Sequence, residues 1–191
     1  MHYLVFLGAA VNLYGIAFYI RDIFHGQTRP NLVTWVLWAI APLVASAAAF
    51  STGARLAVLP TFMIGFGPLL VVVSAFIKRN TIWQPTPFSY LCGGLSLIAL
   101  LLWALTRKPE IAVIFAILSD ALAALPTLKK AWRFPETESG IVYTTQLFNI
   151  LTSFAVIQFY TFPEIGFPIY GTLLNVSLSI AVYKKLFEQT A

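Results

Sequence analysis

Two stretches decide how this chain folds: GAAVNLYGIAFYIR at residues 8–21 and AILSDALAALPTLK at residues 116–129. In the first, Gly8, Asn12, Gly15 and Tyr19 recur at helical spacing and share one face; in the second, Ala116, Asp120, Ala123 and Thr127 hold the same places. Each is an apolar segment with one amide or acid near its centre and a basic residue at its end, Arg21 or Lys129. The offset between them, 120 − 12 = 108, persists further along the chain. It sets Phe24 on Trp132, Trp35 on Tyr143, Trp38 on Gln146, Pro60 on Pro168 and Gly67 on Asn175. Identity is low at each position, and agreement at one offset is what marks an internal repeat.

The rest of the sequence extends this pattern. Of 191 residues, 59% are hydrophobic and only 10% charged, too little charge to cover the surface of a water-soluble domain of this length. Seven apolar runs, at 3–20, 32–50, 56–77, 88–106, 111–128, 141–162 and 165–183, each approach the ~20 residues needed to cross a bilayer. The expected fold is therefore an all-α integral membrane protein of seven transmembrane helices. With the amino terminus outside, nine basic residues fall on the inner side (Arg21, Arg29, Lys78, Arg79, Lys129, Lys130, Arg133, Lys184 and Lys185) and three on the outer (Arg55, Arg107 and Lys108). That excess predicts an outer amino terminus and a cytoplasmic carboxyl terminus. A second copy of three helices would be inverted unless one further crossing intervened. Residues 88–106 supply it, with no counterpart in the repeat. The predicted organisation is a first three-helix repeat at 1–80, a linker helix within 81–108 and a second three-helix repeat at 109–191: two parallel bundles related by an axis along the membrane normal.

The segment Leu125-Pro126-Thr127-Leu128-Lys129-Lys130-Ala131-Trp132-Arg133, followed by Glu136-Thr137-Glu138-Ser139, resembles a PQ-loop, with Thr127 in place of the glutamine. In the first repeat Phe18 replaces the proline, and Arg21, the Gly26-Gln27-Thr28 turn and Pro30-Asn31 keep the rest of the pattern. The last span, with Pro168, Asn175 and Tyr183-Lys184, resembles the final helix of SWEET sugar transporters. The 3+1+3 order matches that superfamily over the whole chain. The resemblance implies a central pocket between the bundles, alternating access, homo-oligomers and, for Asn175, a place in the substrate pocket. The position matching Asn175 in the first repeat is Gly67, where many sugar-carrying members have asparagine.

Asn12, Asp120 and Asn175 all fall near mid-span, with no lysine or arginine at that depth. A lone carboxylate in hydrocarbon is costly, so Asp120 is expected to face the bundle interior. Either it is protonated and bonded to an amide such as Asn12 or Asn175, or it is ionised against a cationic solute or a proton in transit, which would make it the proton-coupling residue; a structural bond between helices is the plainer alternative. Gln146, Asn149 and Ser153 share one helical face. Asn175, Asp120, Asn12, Trp38, Gln146 and Asn149 are thus the candidate substrate-binding residues: amides to bond a solute and an indole to stack on it. Trp35 reads first as part of an interfacial belt, and Trp38, one turn deeper, as either pocket or packing. Tyr19 and Thr127 lie closer to the cytoplasm and form a candidate inner gate. Pro126, less than two turns from Asp120, is a candidate hinge, and Pro42, Pro60, Pro68 and Pro168 weaken their helices in the same way.

Other classes fit poorly. There is no zincin pair, GxSxG elbow or phosphate loop, so no enzyme is expected. His2 and His25 cannot build a metal cluster, no cofactor is implied, and the lone Cys92 allows no internal disulfide. The net charge of +5 sits at the ends of apolar runs, which argues for membrane lipid as the partner and against nucleic acid. A retinal protein needs a lysine deep in the last helix, where this chain has none. The leading expectation is a membrane transporter of a small polar solute, sugar or amino acid, through a mid-membrane polar pocket, in a prokaryotic plasma membrane. The second is a non-transporting receptor or scaffold that binds a peptide or lipid in the same cavity.

Overall fold

The computed structural model describes residues 2–51, 59–106, 108–157 and 159–190. Seven α-helices account for nearly all of them: α1 (His2–Phe24), α2 (Leu32–Ser51), α3 (Leu59–Ile77), α4 (Pro87–Leu105), α5 (Pro109–Arg133), α6 (Gly140–Ser153) and α7 (Phe162–Thr190). Among the described residues, α1, α4, α5 and α7 are long and apolar enough to cross a membrane. Burial is inverted relative to a water-soluble bundle. Leu91, Leu95, Ile98, Leu101 and Leu105 of α4 and Leu173 and Ile180 of α7 point outward, while Thr34, Ser96, Thr127 and Asn31 are fully buried. That arrangement suits an apolar surrounding, in which small polar residues pack helices and leucines face the solvent.

Local chemistry sets the helix ends. Gly26 adopts φ +76, and Gln27 and Thr28 donate their N–H groups to the Asp22 carbonyl at 2.9 and 3.3 Å, closing α1 with a left-handed glycine. Asn31 then accepts from Val33 N–H at 3.2 Å to start α2. Thr86 and Ser89 form a reciprocal capping box with Pro87 in the first turn of α4.

The apolar runs misjudge several helix ends, two of them for clear physical reasons. Residues 141–162 do not form one span: α6 stops at Ser153, and a 3-10 turn follows at Phe154–Val156. There the Thr152 and Ser153 hydroxyls donate to the carbonyls of Asn149 and Ile150 at 2.7 and 2.6 Å, competing with the helical ladder. Conversely, α5 runs past residue 128 to Arg133, because the charge of Lys130 is neutralised inside the protein. Hydropathy marks where charge begins, whereas the helix ends where its hydrogen bonds do.

In the helix packing, α3 lies between α1 and α2, and α7 lies between α5 and α6. The two triplets meet along α1–α6 and α2–α5, and α4 packs on α5 and α2. These seams are built differently. Along α1–α6, a Cβ added to Gly15 would lie 2.9 Å from Cβ of Thr145, and one on Gly8 would lie 3.1 Å from Cα of Asn149. The two glycines therefore allow the backbones to touch. Along α2–α5, Thr34 donates to the Ala123 carbonyl at 2.7 Å and Thr127 donates to the Thr34 hydroxyl at 2.9 Å. Farther along, α4 wedges into the seam, with Ser96 donating to the Ser119 carbonyl at 2.7 Å and Ser119 to the Ser96 carbonyl at 2.9 Å. Gly15→Leu is expected to push α1 off α6 and destabilise the fold by about 1–3 kcal/mol, read as a lower melting temperature in detergent. Unchanged melting would mean that the seam is loose.

One end of the bundle gathers the basic connections. Arg29 N–H donates to the Thr137 carbonyl at 2.9 Å, joining the α1–α2 and α5–α6 loops through residues 137 − 29 = 108 apart. From the α3–α4 connection, Trp83 N–H donates to the Pro30 carbonyl at 3.1 Å, and its ring lies 5.3 Å from that of Phe134. Lys184 of α7 donates to the Trp132 carbonyl at the same end. Arg55, Arg107 and Met1 lie outside the described residues, and so does the placement of the Lys185 side chain.

Candidate functional site

A cavity of about 380 Å³ runs between the two triplets. All seven helices contribute to its wall. Four pairs at the offset of 108 line it together: Asn12 with Asp120, Trp35 with Tyr143, Trp38 with Gln146, and Pro42 with Ile150. Asn175 lines it from α7, while Gly67 instead packs against Ile16. Of the expected binding residues, the structure therefore brings Asn12, Trp38, Asp120, Gln146 and Asn175 to one hollow. Asn149 is not in its wall; it lies on the α1–α6 seam against Gly8.

Asp120 does not bond to Asn12 or Asn175. Its carboxylate accepts from the Tyr170 hydroxyl at 2.7 Å, a partner supplied by α7 and not anticipated from sequence. The ion pairs found among the described residues are Arg21–Asp22 and Lys130–Glu138, so Asp120 has no cationic partner there. Asn175 donates its amide to the Gly171 carbonyl one turn back, at 2.9 Å, which fixes its rotamer and leaves its side-chain oxygen for other use. The amides of Asn12 and Gln146 make no hydrogen bond to the described residues. The indole N–H of Trp38 points toward Asp120 without reaching normal hydrogen-bond geometry. Pro42 and Pro68, both in the wall, lack the N–H that would bond the carbonyls of Trp38 and Ile64.

Trp35 is not part of an exposed belt. It is 2% exposed and forms the cavity floor with Tyr143, its ring 4.7 Å from that of Tyr19 and 5.4 Å from that of Trp38. Below this floor lies a polar cluster that sequence reasoning missed. Glu138, from the α5–α6 loop, accepts from Tyr19 at 2.9 Å and Tyr143 at 2.8 Å on one oxygen and from Lys130 at 2.7 Å on the other. Lys130 also donates to the carbonyls of Arg29 and Thr137. The side chains of Lys130 and Glu138 are 2% and 0% exposed, so Lys130 is not a membrane-surface anchor. Among the candidate gate residues, Tyr19 belongs to this cluster and Thr127 to the α2–α5 seam, and neither lines the cavity. Pro126 is buried inside α5, which continues through it without a break.

The linker helix also contributes. Ser96, Leu100 and Trp103 of α4 complete the wall where α2 and α5 part. The stripe Ser89, Cys92, Gly93, Ser96 and Ala99, all buried, is the signal that could have revealed this packed face. Among the described residues no group of acids, histidines and cysteines could hold a metal ion. Comparison of the chain with protein-family models, curated proteins and solved structures returns no match.

Proposed function

We propose that this chain is a membrane carrier that moves a small polar solute by alternating access, built as two parallel three-helix repeats around a linker helix in the manner of PQ-loop and SWEET-like transporters. The observation that carries this reading is the cavity between the triplets, into which residues 108 apart project in pairs. The helix order supports it, since α3 and α7 occupy equivalent places within their triplets. The outward leucines and the gathering of basic connections at one end support a multi-pass arrangement with that end in the cytoplasm.

In this reading the conformation captured is shut toward the cytoplasm. The floor of Trp35 and Tyr143, backed by Glu138 and Lys130, closes the basic end. The walls at the far end are Ala45, Ile64, Trp103 and Phe167, which come from α2, α3, α4 and α7 and are not tied together by a comparable cluster among the described residues. Asn12, Gln146, Asn175 and Asp120 bind solute midway, and Asp120 is the group through which a proton or a cation would be coupled to its movement. A receptor using the same cavity would bind solute without moving it.

Uptake of labelled solutes into proteoliposomes tests the proposal, with the expected result a saturable flux absent from protein-free vesicles. Asn175→Ala removes one hydrogen-bonding group, worth about 1 kcal/mol, and is expected to raise the half-saturating concentration about fivefold. Unchanged affinity in that variant would place the solute elsewhere, and no flux of any solute would favour the receptor.

A further inference from the structure

We infer that the ligand of this cavity is an organic monocation, an amine on a largely apolar body that carries no carboxylate. The inference rests on the carrier reading only in taking the cavity as the solute site.

Charge is the first argument. Among the residues that line the cavity, Asp120 is the only one with a formal charge at neutral pH, and no lysine, arginine or histidine joins it. Its carboxylate spends one interaction on Tyr170, and an ionised carboxylate has further acceptor sites. An uncompensated charge at this depth is expensive. With Asp120 ionised, a neutral polyol leaves the cavity charge uncompensated. A zwitterion does the same, because it brings its own anion with its cation. A monocation cancels it.

The walls are the second argument. A polyol needs hydrogen-bond partners around its whole rim, whereas Ile16, Leu37, Leu100, Ile150 and Leu174 present only alkyl surface. Near the acid the surface is aromatic: Trp38 and Tyr170 flank it, and Phe167 stands edge-on to Tyr170 with ring centroids 5.7 Å apart. Aromatic rings beside a carboxylate suit a cation more than a neutral group.

The unused polar groups are the third argument. The amides of Asn12 and Gln146 make no hydrogen bond to the described residues, whereas the indole N–H groups of Trp38 and Trp35 are turned toward Asp120 and the Tyr19 hydroxyl. Both amides are neutral. They suit a hydroxyl or carbonyl on the ligand, and neither offers the positive charge that a buried carboxylate requires.

Three probes that differ at one group test this. Tyramine carries the amine, tyrosine adds a carboxylate to it, and tyrosol replaces the amine with a hydroxyl. Binding is read from the melting temperature of the full chain in detergent and from quenching of tryptophan fluorescence. Tyramine is expected to raise the melting temperature in a saturable way, with tyrosine and tyrosol at least tenfold weaker. In Asp120→Asn the tyramine affinity should fall at least tenfold. The ranking in the unmodified protein stands as a test even where that variant does not fold.

Equal binding of tyrosine or tyrosol, binding of none of the three, or undiminished tyramine binding by folded Asp120→Asn each overturns the inference. Flux keeps the two conclusions apart. A protein that transports a sugar and ignores tyramine remains a carrier of another class. A protein that binds tyramine through Asp120 and moves nothing keeps its ligand assignment and loses the carrier reading.

Discussion

Glu138→Ala is expected to cost about 3–5 kcal/mol of stability, the usual consequence of leaving one member of a buried ion pair without its partner. Lys130 keeps its two carbonyl acceptors, on Arg29 and Thr137, but loses the carboxylate it is paired with. Tyr19 and Tyr143 lose their shared acceptor in the same step, and both are buried. Unfolding in detergent, followed by helical circular dichroism against added dodecyl sulfate, measures the loss. The cost arises from the stranded charge and not from the absence of the pair, so Glu138→Gln combined with Lys130→Met should recover a large part of it. If Glu138→Ala melts like the unmodified protein, water reaches Lys130 and the cluster is not the dry seal described above.

Ala116→Phe is expected to reduce solute flux at least about tenfold while leaving the melting temperature unchanged or higher. Ala116 lies one turn before Asp120 on the same face of α5 and lines the cavity on the side away from the Glu138 cluster. A benzyl group there occupies open space between the acid and the far end. Filling a void costs little where no atom must move, and gains apolar contact. Loss of flux without loss of fold separates a blocked route from a damaged protein. Flux at the unmodified level would mean that solute does not pass this turn of α5.

The reach of the sequence differs between the two halves of the site. Asn12, Asp120, Trp38 and Gln146 were legible because a duplicated helix face carries its own signal: polar atoms recurring at one offset inside apolar runs. Tyr170 was not, since a tyrosine near the start of an apolar span reads equally as an interfacial anchor. Glu138 was hidden more deeply. An acid between Thr137 and Ser139 in a short polar loop looks solvated, and its partner Tyr19 is 119 residues away. Nothing in local hydropathy distinguishes a loop acid that folds inward. Trp35 was misjudged for the opposite reason. Its place near a span end implied the bilayer interface, but the loops of both halves cover that end and turn it into interior. The linker helix has no repeat mate to signal a share in the cavity, yet its small-residue stripe describes a packed face.

In the two-repeat reading, the wedge of α4 makes the molecule lopsided. One contact between the halves is two backbones pressed together at Gly8 and Gly15; its counterpart is joined directly only around Thr34 and farther along is propped apart by an extra helix fastened through paired serines. Were the halves to move, the tight side would act as the fulcrum and the propped side would travel. Spin-label distances from α2 to α5 should then spread more than those from α1 to α6 as solute is added, and equal spreads would restore a symmetric rocker.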